Sequence, residues 1–344
     1  MADQAQVKIY GNPDLPEGPD ERPLVTFALF AYNQEKYIRE AVEGAFSQTY
    51  EPLEIVLSDD CSSDRTFEIM QEMAAAYEGP HQVVVQQNAS NLGLIHHILL
   101  AARMASGSLI IVAAGDDVSL PSRATKLISH WIASGGVAGV VHSDALAMDE
   151  SGKTTKYLNG GIQGKKPTLK SFVKNNLRTP IIGATAAYTR NLIIDGPDID
   201  ERVFEDKVLS HRALLVGEIV YVPEGLVKYR QVPSSISQQL YNSREHQVKY
   251  FIGQRSSALQ ILSEYIEQVK NHNIPMDTSL AANIIRILHS WDKQISGYNG
   301  GVVNKLFLAI LRPASSINER VRAVLDSLGL GPALNFIRRK GRRL

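Results

Sequence analysis

The feature that most constrains this chain is an alternation of two hydrophobic periods between Leu24 and Val141. Apolar runs of strand length are each followed by a segment in which apolar residues return every three or four positions. Leu24 to Phe30 reads as a buried strand, and Tyr37, Ile38, Ala41, Val42, Ala45 and Phe46 read as one face of a helix ending near Gln48. The pattern returns as strand Leu53 to Leu57 with a helix using Phe67, Met70, Met73 and Tyr77, capped by Ser62 or Ser63. Strand Val83 to Val85 precedes a helix through Ile95, Leu99 and Ala102. Strand Leu109 to Val112 precedes a helix opened by Pro121, whose Leu127, Ile128, Trp131 and Ile132 are expected to face the core, and Val137 to Val141 closes the series. Repeated strand–helix units imply right-handed crossovers, which predicts a mainly parallel sheet with helices on both faces. Such a sheet gathers its ligands at the strands' C-terminal edge.

Further along, a helix from Lys207 to Val216 leads into a strand at Ile219 to Val222. Helical spacing then runs through Ile252, Leu259, Leu262 and Ile266, and again through Ile284, Ile287 and Leu288. The expected organisation is a lead over 1–22, an α/β unit over 23–240, and an α-helical C-terminal extension with a basic tail over 241–344.

The 36 Lys and Arg balance the 36 Asp and Glu, which excludes a protein that coats nucleic acid. A single cysteine, Cys61, rules out an internal disulfide and offers no zinc cluster, so a cytoplasmic location is expected. The lead has no basic start followed by an apolar run, so it is not read as a signal peptide. No run reaches the roughly 18–20 apolar residues that span a bilayer. Val302, Val303, Leu306, Phe307, Ile310 and Leu311 form an apolar face beside Lys305, followed by Arg338, Arg339, Lys340, Arg342 and Arg343. That segment suits peripheral contact with an anionic membrane surface, or packing on the rest of the chain or on a second subunit.

Chemistry is sought where acids follow strands. Leu53 to Leu57 runs into Ser58, Asp59, Asp60, Cys61, Ser62, Ser63 and Asp64, and Leu109 to Val112 runs towards Gly115, Asp116 and Asp117. A third pair, Glu205 and Asp206, is expected just before the helix starting near Lys207. Adjacent carboxylates repel unless a cation or hydrogen-bond donors compensate, so Mg2+ or Mn2+ is a natural occupant. Asp59 and Asp64 read better as turn residues. Gly115 frees the backbone beside Asp116 and Asp117, and Pro121 starts a helix without needing either acid.

These residues come in an order that resembles the inverting family 2 glycosyltransferases of the GT-A fold, of the type found in bacterial surface-polysaccharide biosynthesis. The set is Ala31-Tyr32-Asn33-Gln34-Glu35, Ser47-Gln48-Thr49-Tyr50, Ser58-Asp59-Asp60-Cys61-Ser62-Ser63-Asp64, Asn91-Leu92-Gly93, Gly115-Asp116-Asp117, Glu205-Asp206 and Tyr229-Arg230. The resemblance covers roughly Pro23 to Ser237. It implies a nucleotide-sugar donor, a glycan or lipid-linked glycan acceptor, and transfer of one sugar with inversion. Tyr32 would stack on the nucleobase and Asp60 would bond its edge, with Asn33, Glu35, Asn91 and Gly93 on the donor side. Asp116 would hold the ribose side, Asp117 the metal, and Arg230 the diphosphate. Asp206 would be the base taking the acceptor's proton.

Bland readings stand beside these: a helix N-cap for Asp206, a surface arginine for Arg230, a turn for Asn91 and Gly93. Cys61 departs from a position where the family often has glycine, and Phe30 from one that is commonly small or polar. The Gln-x-x-Arg-Trp signature of processive members is absent. No glycine-rich loop follows the first strand, which sets aside a nucleotidyltransferase. A non-catalytic nucleotide-sugar-binding module of the same fold is the alternative.

Overall fold

A computed structural model of the chain describes residues 6–10, 22–158, 166–179, 181–231, 244–272 and 277–298. The chain runs through β1 (Gln6–Tyr10), β2 (Val25–Ala31), α1 (Ile38–Phe46), β3 (Leu53–Asp59), α2 (Thr66–Ala75), β4 (Gln82–Gln87), α3 (Leu94–Met104) and β5 (Leu109–Ala114). It continues through β6 (Val118–Ser119), α4 (Arg123–Ala133), β7 (Ala138–Met148), β8 (Thr154–Leu158) and α5 (Leu169–Lys174). A 3-10 turn (Gly183–Thr185) leads to β9 (Ala186–Thr189), α6 (Arg190–Ile194), α7 (Glu205–Val216), β10 (Glu218–Arg230), α8 (Arg244–Asn271) and α9 (Thr278–Tyr298).

The strands join in the order β1-β4-β3-β2-β5-β9-β7-β10-β6, with β8 paired to β7. β4, β3, β2 and β5 are parallel, as are β7 and β10, whereas β1, β9, β6 and β8 are antiparallel to their neighbours. The sheet is therefore mainly parallel and mixed at its middle and edges. Every residue of β2 is buried. Phe27 and Leu29 point into the core beneath α1, α2 and α4, while Ala28 and Phe30 enter the opposite core with α3, α6 and α7. This period-two division is why a continuous apolar run was needed, each large side chain contributing about 1.5–3 kcal/mol by leaving water.

A third apolar cluster holds α5, α8 and α9 together through Phe172, Ile261, Leu262 and Ile284. The expected C-terminal helices are thus present and packed. The apolar face from Val302 to Leu311 and the arginine cluster lie outside the described residues.

Several local expectations are corrected. The lead contains β1, five residues paired antiparallel with β4. Ser62 and Ser63 do not cap α2, which starts at Thr66; Asp64 instead accepts from the Thr66 N–H at 2.9 Å. α4 begins at Arg123, two residues after Pro121, and Ile132 is half exposed rather than in the core. β7 does not stop at Val141 but continues to Met148. Glu205 and Asp206 lie within the first turn of α7, not before it.

Candidate active site at the strand ends

β2 and β3 end side by side, and the two loops that follow are stitched together. The Asp60 N–H donates to the Ala31 carbonyl at 2.9 Å, and the Asn33 N–H to Ser62 Oγ at 2.8 Å. Asn33 Oδ1 accepts from the Ser63 N–H at 2.8 Å, and Glu35 Oε2 from the Arg65 N–H at 3.0 Å. Asn33 and Glu35, expected on the donor side, therefore spend these side-chain oxygens on the neighbouring loop. Asn33 and Cys61 both adopt left-handed backbone, with φ of 51° and 63°. That conformation favours glycine, which explains why Cys61 stood out as a departure. Tyr32 is left 48% exposed at the rim, open to a flat partner.

Asp60 is buried, and both its oxygens are met. Oδ1 accepts from Asn88 Nδ2 at 2.7 Å and the Leu92 N–H at 2.9 Å, while Oδ2 accepts from the Gly93 N–H at 3.0 Å. Asn91 Oδ1 accepts from the same Gly93 N–H at 3.1 Å, and Gly93 has φ of 74°. The structure thus brings Asp60, Asn91 and Gly93 into one turn at the start of α3, as the turn reading of Asn91 and Gly93 expects.

The second acid pair is built differently. A Cβ on Gly115 would stand 2.5 Å from Gln34 Oε1 and 2.9 Å from Ala31 Cβ, so only glycine lets the β5 end pass this close to β2. Asp117 is buried; its Oδ1 accepts from the Arg230 N–H at 2.7 Å, and its Oδ2 has no hydrogen-bond partner among the described residues. Burial pushes the Asp116 carboxyl up. Burial and then the charge of Asp116 push Asp117 up further.

Arg230 is buried. Its Nε–H donates to the Asp116 carbonyl at 2.8 Å, its NH2 group to Glu40 Oε2 at 2.9 Å, and its NH1 group to the Asp149 and Glu150 carbonyls at 3.4 and 3.3 Å. The guanidinium also lies 4.6 Å from the Tyr37 ring centroid. The expectation of a surface arginine is corrected: this cation is an internal clamp beneath the acid pair.

The third pair sits on α7. Phe204 is the N-cap residue, so Asp206 is not one, and both Glu205 and Asp206 are partly buried. Burial, and then the neighbouring Asp206, push Glu205 up to about 8; burial also raises Asp206, against the Lys207 charge that lowers it. A Cβ on Gly183 would stand 2.7 Å from Glu205 Oε1, so the Glu205 carboxyl rests close against the 3-10 turn.

A residue that the sequence reading passed over connects these places. Arg123 is fully buried and donates to the Val112 carbonyl at 2.7 Å, the Ala184 carbonyl at 2.8 Å and Ser119 Oγ at 2.9 Å. It therefore ties β5, which delivers Asp117, to the turn against which Glu205 rests. Its signal was its place four residues before Leu127 on the apolar face of α4. His97, His142 and His211 are all buried in the interior.

Residues 26–196 match the family described as Glycosyl transferase family 2. The chain carries a family 2 glycosyltransferase domain. It is 25% identical over 231 residues to an uncharacterized glycosyltransferase of Haemophilus influenzae, a match covering 65% of this chain and 70% of that one. It is 30% identical over 166 residues to the succinoglycan biosynthesis protein ExoO of Rhizobium meliloti, covering 47% and 45% of the two chains. Among solved structures, residues 1–349 of TarS from S. aureus, in complex with UDP-GlcNAc, superpose with a TM-score of 0.56 at 17% identity, over 92% of this chain and 87% of that one. That likeness is one of fold, and the fold is GT-A-like. The glycosyltransferase family match spans Asp60, Asp116 and Asp117 and ends before Glu205, Asp206 and Arg230.

The donor set fits a small hard cation in part. Asp116 and Asp117 supply two adjacent carboxylates, one with an unpartnered buried oxygen, and no group of three or more His, Cys, Asp or Glu gathers among the described residues. An ion held by one or two carboxylates and completed by phosphate and water suits Mg2+ or Mn2+ rather than Zn2+. No helix among the described residues is long and apolar enough to cross a membrane.

Proposed function

We propose that this chain is an inverting glycosyltransferase that moves one sugar from a nucleoside-diphosphate sugar to a hydroxyl of a glycan or lipid-linked glycan, in polysaccharide biosynthesis. The observation that carries the reading is the desolvated Asp116–Asp117 pair at the C-terminal edge of the sheet, with one oxygen of Asp117 unspent. Asp117, beside Asp116, is the group to hold Mn2+ or Mg2+, which when bound supplies neutralisation of the charge on the departing diphosphate. Tyr32 offers its exposed ring to the base, and the turn of Asp60, Asn91 and Gly93 shapes the floor beside it. Asp206 accepts the acceptor hydroxyl's proton as that oxygen attacks the anomeric carbon. Burial and the neighbouring Asp206 push Glu205 up to about 8, so Glu205 holds its proton at neutral pH.

The catalytic unit in this reading runs over 23–240, with 241–344 as its helical extension. The segment 302–344 is proposed to touch an anionic membrane surface where lipid-linked acceptors reside.

The test is a panel of UDP-glucose, UDP-N-acetylglucosamine and GDP-mannose, each with Mn2+ or Mg2+, read by thermal shift and by release of nucleoside diphosphate. One donor is expected to raise Tm and be turned over, and Asp206→Asn is expected to keep the shift and lose turnover about 1000-fold. A fully active Asp206→Asn would remove the mechanism. Binding without turnover across a broad acceptor panel would favour a non-catalytic module.

A further inference from the structure

α8 lies outside the family match, yet it grips the turn that carries Asp206. The Phe204 N–H, at the N-cap of α7, donates to Ser257 Oγ at 2.9 Å, and the Ser257 hydroxyl donates in turn to the Gly253 carbonyl at 2.8 Å. The Phe204 ring rests on the bare backbone of Gly253, where a Cβ would stand 2.8 Å from its Cε2. Lys207, buried beside Asp206, donates from Nζ to Gln254 Oε1 at 2.7 Å and to the Leu177 carbonyl at 2.9 Å. Two turns further along, Arg212 meets Glu264 with Nε at 3.1 and 3.2 Å and NH2 at 2.8 Å, and Gln260 Nε2 adds a bond to the same carboxylate at 2.8 Å. One α-helix is thus held by another at two heights, which fixes its rotation as well as its position.

The lower attachment is a buried ion pair, a device for docking and specificity. The upper attachment is different in kind. Its three members each touch a residue within two positions of Asp206 on the α7 backbone, and two of them do so through backbone or carboxamide bonds with defined direction. A displacement of about 1 Å in a proton acceptor costs on the order of 100-fold in rate, so what fixes this turn fixes the chemistry.

We infer that Gln254 and Ser257 of the C-terminal extension are positioning residues for the proton-accepting Asp206, acting through Lys207 and Phe204. The inference rests on the proposed role of Asp206. It makes the extension part of the catalytic unit rather than an appendage to it. Gln254 also sets the charge beside Asp206. The groups around Lys207 are Asp206, Gln254, the Leu177 carbonyl and the Arg178 charge; those around Asp206 are Glu205, Lys207 and Tyr188. Burial already holds the Lys207 ammonium down to about 8, so loss of its Gln254 acceptor disfavours the cation further. With less positive charge alongside, Asp206 takes up its proton at higher pH.

The experiment compares wild type, Gln254→Leu, Gln254→Glu, Ser257→Ala and Asp206→Asn in the full chain. Release of nucleoside diphosphate is followed against pH, with the donor from the three-sugar panel that most stabilises wild type and with Mn2+. Gln254→Leu is expected to lower kcat about 10-fold with donor KM within about 2-fold, and to move the acid limb of the profile to higher pH. Gln254→Glu, which keeps an acceptor for Lys207, restores kcat and returns the limb to or below its wild-type place. Ser257→Ala lowers kcat about 3-fold without changing donor-induced stabilisation. Unchanged kcat and pH profile in Gln254→Leu and Ser257→Ala, or a loss that appears in donor KM and is not restored by glutamate, would overturn the inference. If Gln254→Leu does not fold, Ser257→Ala and Gln254→Glu decide by the same readouts. A fully active Asp206→Asn would instead remove the reading beneath it, so the two failures are separable.

Discussion

Two kinds of acid group stand at the same edge of this sheet, and they differ in what meets their oxygens. After β3, Asp60 is buried against two backbone N–H groups and a carboxamide, and Asp59 accepts from the Ser62 N–H at 2.9 Å and Gln87 Nε2 at 2.9 Å. After β5, and at the start of α7, the carboxyls are desolvated with too few donors: Asp117 keeps a bare oxygen, and Glu205 is pushed up to about 8. Identical residue types at equivalent strand ends thus do opposite work. The first group spends its charge on holding loops, whereas the second stores unmet demand that a cation or a proton can answer.

The contrast is sharpest at Asp117. Asp117→Asn keeps an oxygen for the Arg230 N–H while removing the buried charge, so turnover should fall about 1000-fold with stability unchanged or raised by about 1 kcal/mol. Nucleoside diphosphate release and urea unfolding of the same preparation measure the two. Equal losses of activity and stability would erase the distinction.

Asp60→Ala is the reverse case. It strands the Leu92 and Gly93 N–H groups and the Asn88 amide, so about 2–3 kcal/mol of stability should go, read by urea unfolding. A variant as stable as wild type would mean that this acid belongs with the other group.

Glu205→Gln gives the smallest effect and carries the pH signature. A carboxyl raised from 4.5 to about 8 on folding favours the protonated chain, so its contribution is most favourable below pH 4.5 and is lost as pH rises towards 8. Glutamine cannot ionise, so the variant should show a higher Tm than wild type at pH 8, with no difference near pH 4.5. Calorimetry at the two pH values checks the sign, and a Tm gap of the same size at both would show that Glu205 is not titrating.

How much of this was legible follows the same division between local and distant causes. The strands β2, β3, β4 and β5 were readable because each is a buried apolar run bounded by turns, and Gly115-Asp116-Asp117 was readable because a glycine and two acids after such a run have few bland explanations. β1 was hidden in a lead rich in Pro, Gly and Asp, since five residues with β4 as their partner carry little periodicity of their own. The start of α7 was misplaced because Lys207, His211 and Arg212 are buried, so polar residues occupy the face that should have been apolar. Their partners lie on α8, some 50 residues on in the cases of Gln254 and Glu264, and no local pattern announces them. Arg230 was read as solvent-facing or ligand-facing, and Arg123 was passed over, for the same reason: a guanidinium looks alike in sequence whether its acceptors are carbonyls inside or phosphates outside.

The strand at the very start of the fold has a practical reach of its own. β1 covers the outer row of β4, where a parallel sheet would otherwise end in open N–H and C=O groups. Shortening the chain to begin at residue 23 would uncover that row and offer it to another molecule for strand addition, so self-association growing with concentration would be the visible cost of trimming a segment that looks dispensable.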